Sequence, residues 1–221
     1  MKDTNVCDGV EWFGNTMPPE ILAATNSSLQ FEPVFRVDRL TDIQRQKAMA
    51  TTWKPCCPVP LEDLRAISIS HWNYNGLGAT GILIAHSRVS EDLLFIFKEL
   101  FAHGFLIERM RPVEDFGGDD ELSMENNNTS AFNCRPITGQ PGTFSKHSWG
   151  TAIDINPLYN PYVAEDTVLP RGGSLYLDRS RAWPGSILSG SIIVKLFRDR
   201  GWTWGGSWSL LKDYQHFEID L

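Results

Sequence analysis

The chain has 221 residues, of which 42% are hydrophobic and 21% are charged, and its formal net charge is −7. These values are typical of a globular protein with one domain, or with one domain and an N-terminal subdomain. Because the charge is negative and no block of Lys or Arg stands out, we do not expect nucleic-acid binding through phosphate neutralisation. No apolar run reaches the roughly 18 residues of a membrane helix, and residues 1–12 lack the apolar stretch of a signal peptide.

The first half of the chain contains clear local signals for helices and a strand. Thr41 is a suitable N-cap for a helix over residues 42–53, which would end before a proline. Residues 78–88 begin with glycine and are rich in β-branched side chains, which predicts a strand. Ser90 is the predicted N-cap of a helix that continues to His103, where the next residue, a glycine, would end it.

The later segments follow in irregular order. Residues 105–113 predict another strand, and the polar, turn-rich residues 115–133 predict a long loop. A second helix is predicted over residues 190–200, with its isoleucines facing inward. Since strands and helices do not alternate as in a parallel sheet, the sequence predicts an α+β fold with a mainly antiparallel sheet flanked by helices.

The four cysteines, Cys7, Cys56, Cys57 and Cys134, contain no CxxC pair, so a cysteine-based zinc site is not expected. An even number permits disulfides in an oxidising compartment, for instance between Cys7 and either Cys56 or Cys57. Four ordinary thiols are the alternative.

One segment places a histidine and an aspartate where they can converge. From Gly150 onwards the residues alternate, so that in a strand Ile153 and Ile155 share one face and Asp154 lies on the other. His147 precedes Gly150, and a glycine there allows the backbone to turn sharply. The imidazole and the carboxylate can then approach one point.

A second segment has the same character. Near the end of the chain Phe217 and Ile219 alternate with His216 and Glu218, which predicts another half-buried strand. Asp213 lies in the turn that leads into it. Two strands that each present a histidine on a polar face are a suitable platform for a metal ion.

The number of ligands indicates which kind of metal site this is. His147, Asp154 and His216 supply three ligands and leave the fourth tetrahedral position open, as in a catalytic zinc site with one ion. Asp213 is placed to accept a proton from the attacking water, and Glu218 to orient His216 by a hydrogen bond. Each residue alone has an ordinary structural explanation; the joint pattern indicates the site.

These residues resemble a known family. SKHSWGTAID at residues 145–154 resembles the SxHxxGxAxD motif of the M15 zinc metallopeptidases, which include D-alanyl-D-alanine carboxypeptidases and dipeptidases and L-alanyl-D-glutamate endopeptidases. DYQHFE at residues 213–218 resembles the second motif of that family. The resemblance covers roughly residues 80–221, and it implies a hedgehog/D-Ala-D-Ala-peptidase-like fold and the same three zinc ligands.

The resemblance also implies roles for residues around the metal. Asp213 would be the catalytic base, and Arg135 would stabilise the carbonyl oxyanion or bind a substrate carboxylate. Ser145 would contact the substrate or a ligand, and Trp204 and Trp208 are candidates for the rim of the cleft. The expected enzyme is a peptidase of the bacterial cell wall that acts on the peptidoglycan stem peptide.

Two details of the resemblance concern substrate and domain organisation. The D-Ala-D-Ala enzymes usually have Glu at the base position, whereas the endopeptidase branch often has Asp, as at Asp213. This favours an L-Ala-D-Glu endopeptidase, with a D-alanyl-D-alanine carboxypeptidase as the alternative. Residues 1–80 carry no motif of this family and are predicted to be an N-terminal extension or subdomain of unknown role. Residues 81–221 are predicted to be the peptidase domain.

A non-catalytic zinc-binding module is the alternative from another class, because a hedgehog-type signalling domain shares this metal-site architecture. The carboxylate at Asp213 argues against it, since a binding site needs no base. For an enzyme of this kind we expect a monomer in the cell envelope or secreted, with no nucleic-acid partner, although no signal peptide is predicted in this chain.

Overall fold

The computed structural model describes residues 31–221 together with Thr16, Met17, Pro19 and Leu22. This part of the chain combines α-helices with small, mainly antiparallel sheets, in agreement with the predicted α+β class. None of its helices is long and apolar enough to cross a membrane. The α-helices are α1 (Asp42–Ala50), α2 (Ser90–Ala102), α3 (Asp120–Glu125) and α4 (Ile192–Asp199). The strands are β1 (Phe35–Arg39), β2 (Leu64–Trp72), β3 (Gly78–His86), β4 (Arg109–Met110), β5 (Asn128–Thr129), β6 (Pro136–Ile137), β7 (Gln140–Phe144), β8 (Ala152–Asp154), β9 (Tyr162–Ala164), β10 (Thr167–Leu169), β11 (Thr203–Trp204), β12 (Lys212–Asp213) and β13 (His216–Glu218).

Helix α1 begins where the sequence predicts. The hydroxyl of Thr41 accepts a hydrogen bond from the backbone N–H of Gln44 at 3.2 Å, and the Gln44 side chain accepts one from the backbone N–H of Thr41 at 2.9 Å. This reciprocal capping box satisfies two N–H groups that the first turn of a helix leaves unpaired. The predicted cap at Thr41 is confirmed, and the helix ends at Ala50, three residues earlier than expected.

The first sheet has the order β1-β2-β3, and β2 and β3 form a long antiparallel hairpin. Strand β3 confirms the prediction for residues 78–88. The predicted domain boundary after residue 80 falls inside β3. Ile67 and Ile69 of β2 lie in the same core cluster as Ile153 and Phe217, which come from the strands of the candidate site. Residues before the boundary therefore contribute directly to the core that supports the site.

Helix α2 packs on this sheet, but Ser90 is not its N-cap. Val89 occupies that position, and the Ser90 hydroxyl donates a hydrogen bond to the carbonyl of Ser87 at 2.8 Å. The prediction for Ser90 was wrong by one residue because its hydroxyl bonds backwards, away from the first turn. The buried face of the helix is formed by Leu93, Ile96, Phe97 and Leu100.

The segment predicted as a strand and a long loop is more structured than expected. Only β4 forms within residues 105–113, and it pairs in parallel with β5. The loop predicted over residues 115–133 was wrong, because it contains α3, whose first turn is capped by the Asp119 side chain. The Asn128 side-chain amide donates to the carbonyl of Arg111 and to the hydroxyl of Ser123. These tertiary hydrogen bonds order a polar segment for which the sequence alone predicts no regular structure.

Helix α4 confirms the second predicted helix and packs behind the sheet that carries the site. That sheet has the order β11-β13-β8, and its strands are antiparallel. Phe217 of β13 stacks on Phe197 of α4, with ring centroids 4.0 Å apart and an angle of 16° between the planes. Both side chains are completely buried. The aromatic pair therefore holds the strand that carries His216 against the core.

Replacement of Phe197 by alanine should destabilise the protein strongly. The substitution removes a buried ring and leaves a cavity behind β13, for which the expected loss is about 3–5 kcal/mol of the free energy of unfolding. Urea unfolding followed by tryptophan fluorescence measures the loss. Leu210→Ala is the matched control, because Leu210 is 96% exposed and its truncation should change stability by less than about 0.5 kcal/mol. Equal stability losses in the two variants would contradict this packing.

A disulfide joins Cys57 to Cys134, with 6.0 Å between the Cα atoms and a sequence separation of 77. The suggested pairing of Cys57 with Cys7 is therefore wrong, as is the alternative of four free thiols. Cys56 is exposed and free, and Cys7 lies outside the described residues. The bond fixes residue 134, next to Arg135, to the segment that follows α1.

Candidate metal centre

A short turn positions His147. The residue lies in a 3-10 helix, Lys146–Trp149, and Ser145 caps it by accepting a hydrogen bond from the backbone N–H of His147. Gly150 ends this helix with a φ of +68°, and a Cβ atom there would lie 2.7 Å from the backbone nitrogen of His86. The position therefore requires glycine for both its conformation and its space. The turn aims His147 at the strand that follows.

The antiparallel register of β8 and β13 brings the other two candidate ligands together. Asp154 lies directly opposite His216, and Ile153 lies opposite Phe217. Opposed residues in a sheet point to the same face. The apolar pair belongs to the core, so the aspartate and histidine share the other face, as the alternation in the sequence predicts.

The side chains of His147, Asp154 and His216 form a compact buried cluster, with 3%, 5% and 6% of their surfaces exposed. His147 Nε2 lies 3.1 Å from Asp154 Oδ2, and His216 Nδ1 lies 2.9 Å from Asp154 Oδ1. The two ring nitrogens are 3.2 Å apart. One ligand atom from each of the three side chains lies within 4.8 Å of the other two, so the three form a small triangle that could hold a metal ion.

The triangle fits a tetrahedral zinc ion. Ligand atoms about 2.0–2.1 Å from such an ion are separated from one another by about 3.3 Å. Each imidazole nitrogen lies 2.9 or 3.1 Å from the nearer oxygen of Asp154, and the two nitrogens lie 3.2 Å apart, which is close to that value. Two imidazoles and one carboxylate are also a donor set that zinc accepts, and they leave one coordination position open.

Hydrogen bonds from behind fix which nitrogen of each imidazole faces the centre. His147 Nδ1 lies 2.6 Å from the carbonyl oxygen of Ala131, which can only accept, so Nδ1 carries the hydrogen and Nε2 is left as a ligand. His216 Nε2 lies 3.0 Å from Glu218 Oε2, so Nδ1 is the ligand there. Such partners orient metal-binding imidazoles and raise their basicity.

Within the cluster, the aspartate and the histidines stabilise each other's charged forms. Burial opposes the charged form of Asp154, but His147 and His216 outweigh it and hold the pKa of Asp154 well below its usual range. Burial likewise lowers the pKa of His216, while hydrogen bonds to Asp154 and Glu218 raise it to about 10. A proton therefore occupies the position that a metal ion would take, and metal binding would release it.

Asp213 adds a buried carboxyl group beside this cluster. Its Oδ1 atom is inaccessible to solvent and has no hydrogen-bond partner. Burial raises the pKa of Asp213 to about 7, and nearby Asp154 adds to the rise while His216 and Arg135 oppose it. A buried carboxyl oxygen without a hydrogen-bond partner is costly to a fold, and groups with perturbed pKa values concentrate at functional sites.

A cleft of about 420 Å³ leads to these residues. Its walls come from the β6–β7 hairpin, the 3-10 helix that carries His147, residues 208–213 and β13. The side chains of His147, Asp213 and His216 line it together. Phe144 and Trp149, which are 41% and 44% exposed, also line the cleft. The cleft can therefore present a polar substrate to the cluster while aromatic side chains hold its apolar parts.

Arg135 and Ser145 both line the cleft, as the sequence suggests. Arg135 Nε lies 2.9 Å from Asp120 Oδ2, and the Asn133 side chain donates to the other oxygen of the same carboxylate. Asp120 therefore holds the guanidinium at the edge of the cleft as an ion pair, in which Nε makes no hydrogen bond. Ser145 is buried and its hydroxyl caps the turn of His147, so its observed contact is with the backbone.

The two candidate rim tryptophans occupy different places. Trp208 lines the cleft, and its ring centroid lies 5.5 Å from that of His216. Trp204 was expected at the same rim, but it is 8% exposed and its indole donates to the carbonyl of Tyr214. It lines a different cavity. The alternation of β11 explains this, because Trp204 lies opposite Phe217 and shares its core face.

Sequence reasoning missed several partners of the site. The carbonyl of Ala131 orients His147, yet every residue has a carbonyl and no sequence signal could have identified this one. Asp120, which anchors Arg135, lies in the segment predicted to be a loop. Trp149, which lines the cleft, was also missed. Its place in the first motif, two residues after His147, was a signal that could have identified it.

One comparison with known proteins bears on this site. The family model described as D-alanyl-D-alanine carboxypeptidase matches residues 138–219, which contain the three candidate ligands and Asp213. The match supports an M15 family peptidase. M15 peptidases are hydrolases and metallopeptidases. The buried cluster of His147, Asp154 and His216, which could hold a metal ion, agrees with this. Arg135 lies just outside the matched segment. Searches of the curated proteins and of the solved structures gave no significant match.

The hydrogen bond between Glu218 and His216 should increase the affinity of the site for a metal ion. Glu218→Gln keeps the size of the side chain but removes its charge, so it should weaken metal binding about 10–100-fold without abolishing it. Competition with a fluorescent chelator measures the affinity. Glu165→Gln is the control, because Glu165 is exposed and lies outside the cleft. An unchanged affinity in Glu218→Gln would show that this hydrogen bond does not support the metal site.

Proposed function

We propose that this chain is a zinc-dependent peptidase that hydrolyses peptidoglycan stem peptides, with L-Ala-D-Glu endopeptidase activity favoured. The observation that carries the proposal is the buried cluster of His147, Asp154 and His216 together with the carboxyl of Asp213, one oxygen of which has no hydrogen-bond partner, beside the same cleft. A purely structural zinc site uses four protein ligands and needs no neighbouring base.

The residues would divide the work as follows. His147, Asp154 and His216 would hold one zinc ion, whose Lewis acidity polarises a carbonyl and makes a water molecule more acidic. Asp213 would accept the proton of the attacking water and pass it to the leaving amine. Its raised pKa places this carboxyl near the range where a group can both accept and release a proton.

Arg135 and Trp208 are proposed to position the substrate. Arg135 is anchored through Nε to Asp120, and a guanidinium fixed at one edge can bind a carboxylate or a developing oxyanion with its other nitrogens. Trp208, beside His216, would cover the metal centre on one side. Ser145 would act through the turn that it caps, by holding His147 in place.

The choice of scissile bond depends on Asp213. An aspartate is shorter than a glutamate by one methylene group, so the base, the water and the metal must adopt a different geometry, and this favours the endopeptidase. The D-alanyl-D-alanine carboxypeptidase is the second candidate, because the matching family model carries that description. We also propose the hedgehog/D-Ala-D-Ala-peptidase architecture for the sheet β11-β13-β8.

Other properties follow from the proposed activity. A cell-wall peptidase acts in the cell envelope or after secretion, and the Cys57–Cys134 disulfide supports an oxidising compartment. We propose a monomer, with residues 1–80 as an N-terminal extension to a peptidase domain of residues 81–221.

The test is digestion of purified peptidoglycan with and without a chelator, followed by mass spectrometry of the released fragments. Chelator-sensitive release of peptides that begin with D-glutamate or its amide would support the endopeptidase, and free D-alanine would support the carboxypeptidase. Re-addition of zinc should restore either activity. Protein with stoichiometric zinc that releases no product would instead favour a non-catalytic zinc-binding module.

A further inference from the structure

A second cavity lies behind the strand that carries Asp213. It has a volume of about 880 Å³, within the range of roughly 300–1,000 Å³ that is usual for small-molecule sites. Leu211 and Asp213 line the cleft of the metal centre, whereas Lys212 and Tyr214 line this second cavity. Alternate residues of one extended segment therefore face two separate cavities. We name the second one the basic cavity.

Positive charge is concentrated around the basic cavity although the chain as a whole is acidic. Four cationic side chains line it, and no aspartate or glutamate of the described residues does. Lys195 and Arg198 lie on α4 and share one carboxylate, Asp199, outside the lining. The other two cations are Arg179 and Lys212.

Arg179 and Lys212 have only neutral partners in the described part of the chain. The Arg179 guanidinium donates to the carbonyls of Tyr159 and Ile187 at 2.7 Å and to the side chain of Asn160 at 3.0 Å. Its Nε atom is buried and has no partner. Lys212 Nζ donates to the carbonyl of Trp208. Both residues are half-buried, and no carboxylate of the described residues pairs with either, so their positive charge is uncompensated. The terminal nitrogens of Arg179 already donate to four oxygens, including the carbonyl of Tyr176, whereas Lys212 Nζ keeps two N–H donors for an anion.

Three aromatic residues contribute to the wall of the basic cavity. Trp202 and Trp204 line the cavity, and Tyr214 lies against Arg179, with 4.6 Å from the guanidinium carbon to the ring centroid. Trp202 is 3% exposed, and its indole N–H has no hydrogen-bond partner. Cations beside aromatic surfaces and a spare N–H donor are suited to a ligand that carries both an anionic group and a body with apolar C–H faces.

We propose that the basic cavity binds an anionic sugar, one that carries a phosphate or a carboxylate. Lys212 binds the anionic group beside the uncompensated charge of Arg179, Arg198 and Lys195 attract it from the rim, and the tryptophans contact the sugar ring. This site is separate from the metal centre and does not depend on the proposed peptidase activity.

The experiment titrates the full chain, as purified, with glucose 1-phosphate, glucuronate, glucose and inorganic phosphate. Calorimetry gives affinity, and nitrogen–proton correlation spectra report the tryptophan indoles. We expect saturable one-to-one binding of glucose 1-phosphate or glucuronate, with larger shifts at Trp202 or Trp204 than at Trp208, which lies in the other cavity. Which of the two binds identifies the anionic group. Glucose should not bind, and inorganic phosphate should bind at least about tenfold more weakly than the better sugar.

Variants locate the site. Lys212→Gln should weaken binding at least about tenfold, and Arg198→Gln should weaken it with less risk to folding because Arg198 is 71% exposed. Arg111→Gln makes the same charge change on an exposed residue that does not line the cavity, and it should leave affinity within twofold. The proposal is overturned if neither anionic sugar binds, if glucose or phosphate binds equally well, if the shifts centre on Trp208, or if all three variants behave alike. None of these results depends on hydrolysis, so they are distinct from a failure of the proposed peptidase.

Discussion

His216→Ala should abolish both stoichiometric metal binding and hydrolysis. His216 supplies one corner of the ligand triangle through Nδ1. Without it, only His147 and Asp154 remain, with 3.1 Å between His147 Nε2 and Asp154 Oδ2. Catalytic zinc sites need three protein ligands, so two should retain less than about a tenth of the metal under dialysis. Elemental analysis of the dialysed protein gives the metal content, and peptidoglycan digestion gives the activity.

The control for this variant is His103→Ala. His103 is exposed at the end of α2, and its ring bonds only to the carbonyl of Glu99 among the described residues. It should keep full metal content and activity. If His216→Ala kept one equivalent of zinc after dialysis, the assignment of the ligands would be refuted and the metal would have to lie elsewhere.

Local sequence patterns predicted the parts of this molecule that depend on local physics. The Thr41 capping box and the apolar stripe of α2 follow from hydrogen bonding and periodicity within a few residues. The candidate ligands were found because alternation fixes the face of a strand, and the register then places Asp154 opposite His216. Local patterns could not predict contacts between residues that are far apart in the chain.

The features that sequence reasoning missed depend on contacts between distant segments. The Cys57–Cys134 bond joins residues 77 positions apart, and no local signal selects that pair over another. Helix α3 lies in a segment too polar to show an apolar stripe, and tertiary hydrogen bonds from Asn128 order its surroundings. Trp204 and Trp208 look alike in sequence, yet the pairing of β11 with β13 sends one into the core.

The packing around the metal centre explains how the fold accommodates the charged groups of the site. Asp154 and Asp213 bring carboxyl groups into the interior beside the histidines, and the stacked rings of Phe197 and Phe217 pack the strand that carries His216 against the core. The surrounding core thus holds charged groups in a geometry that they would not adopt alone. Stability supplied by the core is used to keep the site ready for a metal ion.

Asp213→Asn should retain zinc and lose most of the hydrolysis. The amide has nearly the same shape as the carboxyl but cannot accept the proton of the attacking water, so kcat should fall by about 10²–10⁴-fold. The ligand triangle does not include residue 213, and metal content should therefore stay at one equivalent. Activity on peptidoglycan and elemental analysis of the same preparation separate this outcome from that of His216→Ala. Full activity with zinc bound would mean that another group is the base.

The same substitution should stabilise the metal-free protein, and the pH at which it does so is specified. Burial raises the pKa of Asp213 from 3.8 to about 7, so between these values the folded chain holds a proton that the unfolded chain releases. Stability of the unsubstituted protein therefore falls as pH rises through this interval, and the penalty is complete above about pH 7. Asparagine carries no such penalty, so the melting temperature of chelator-treated Asp213→Asn should exceed that of the unsubstituted protein at pH 8 and approach it near pH 4. A gain of stability together with a loss of activity would identify Asp213 as a residue kept for chemistry at the expense of the fold, whereas a loss of stability at pH 8 would mean that its carboxylate is paired in solution and unavailable as a base.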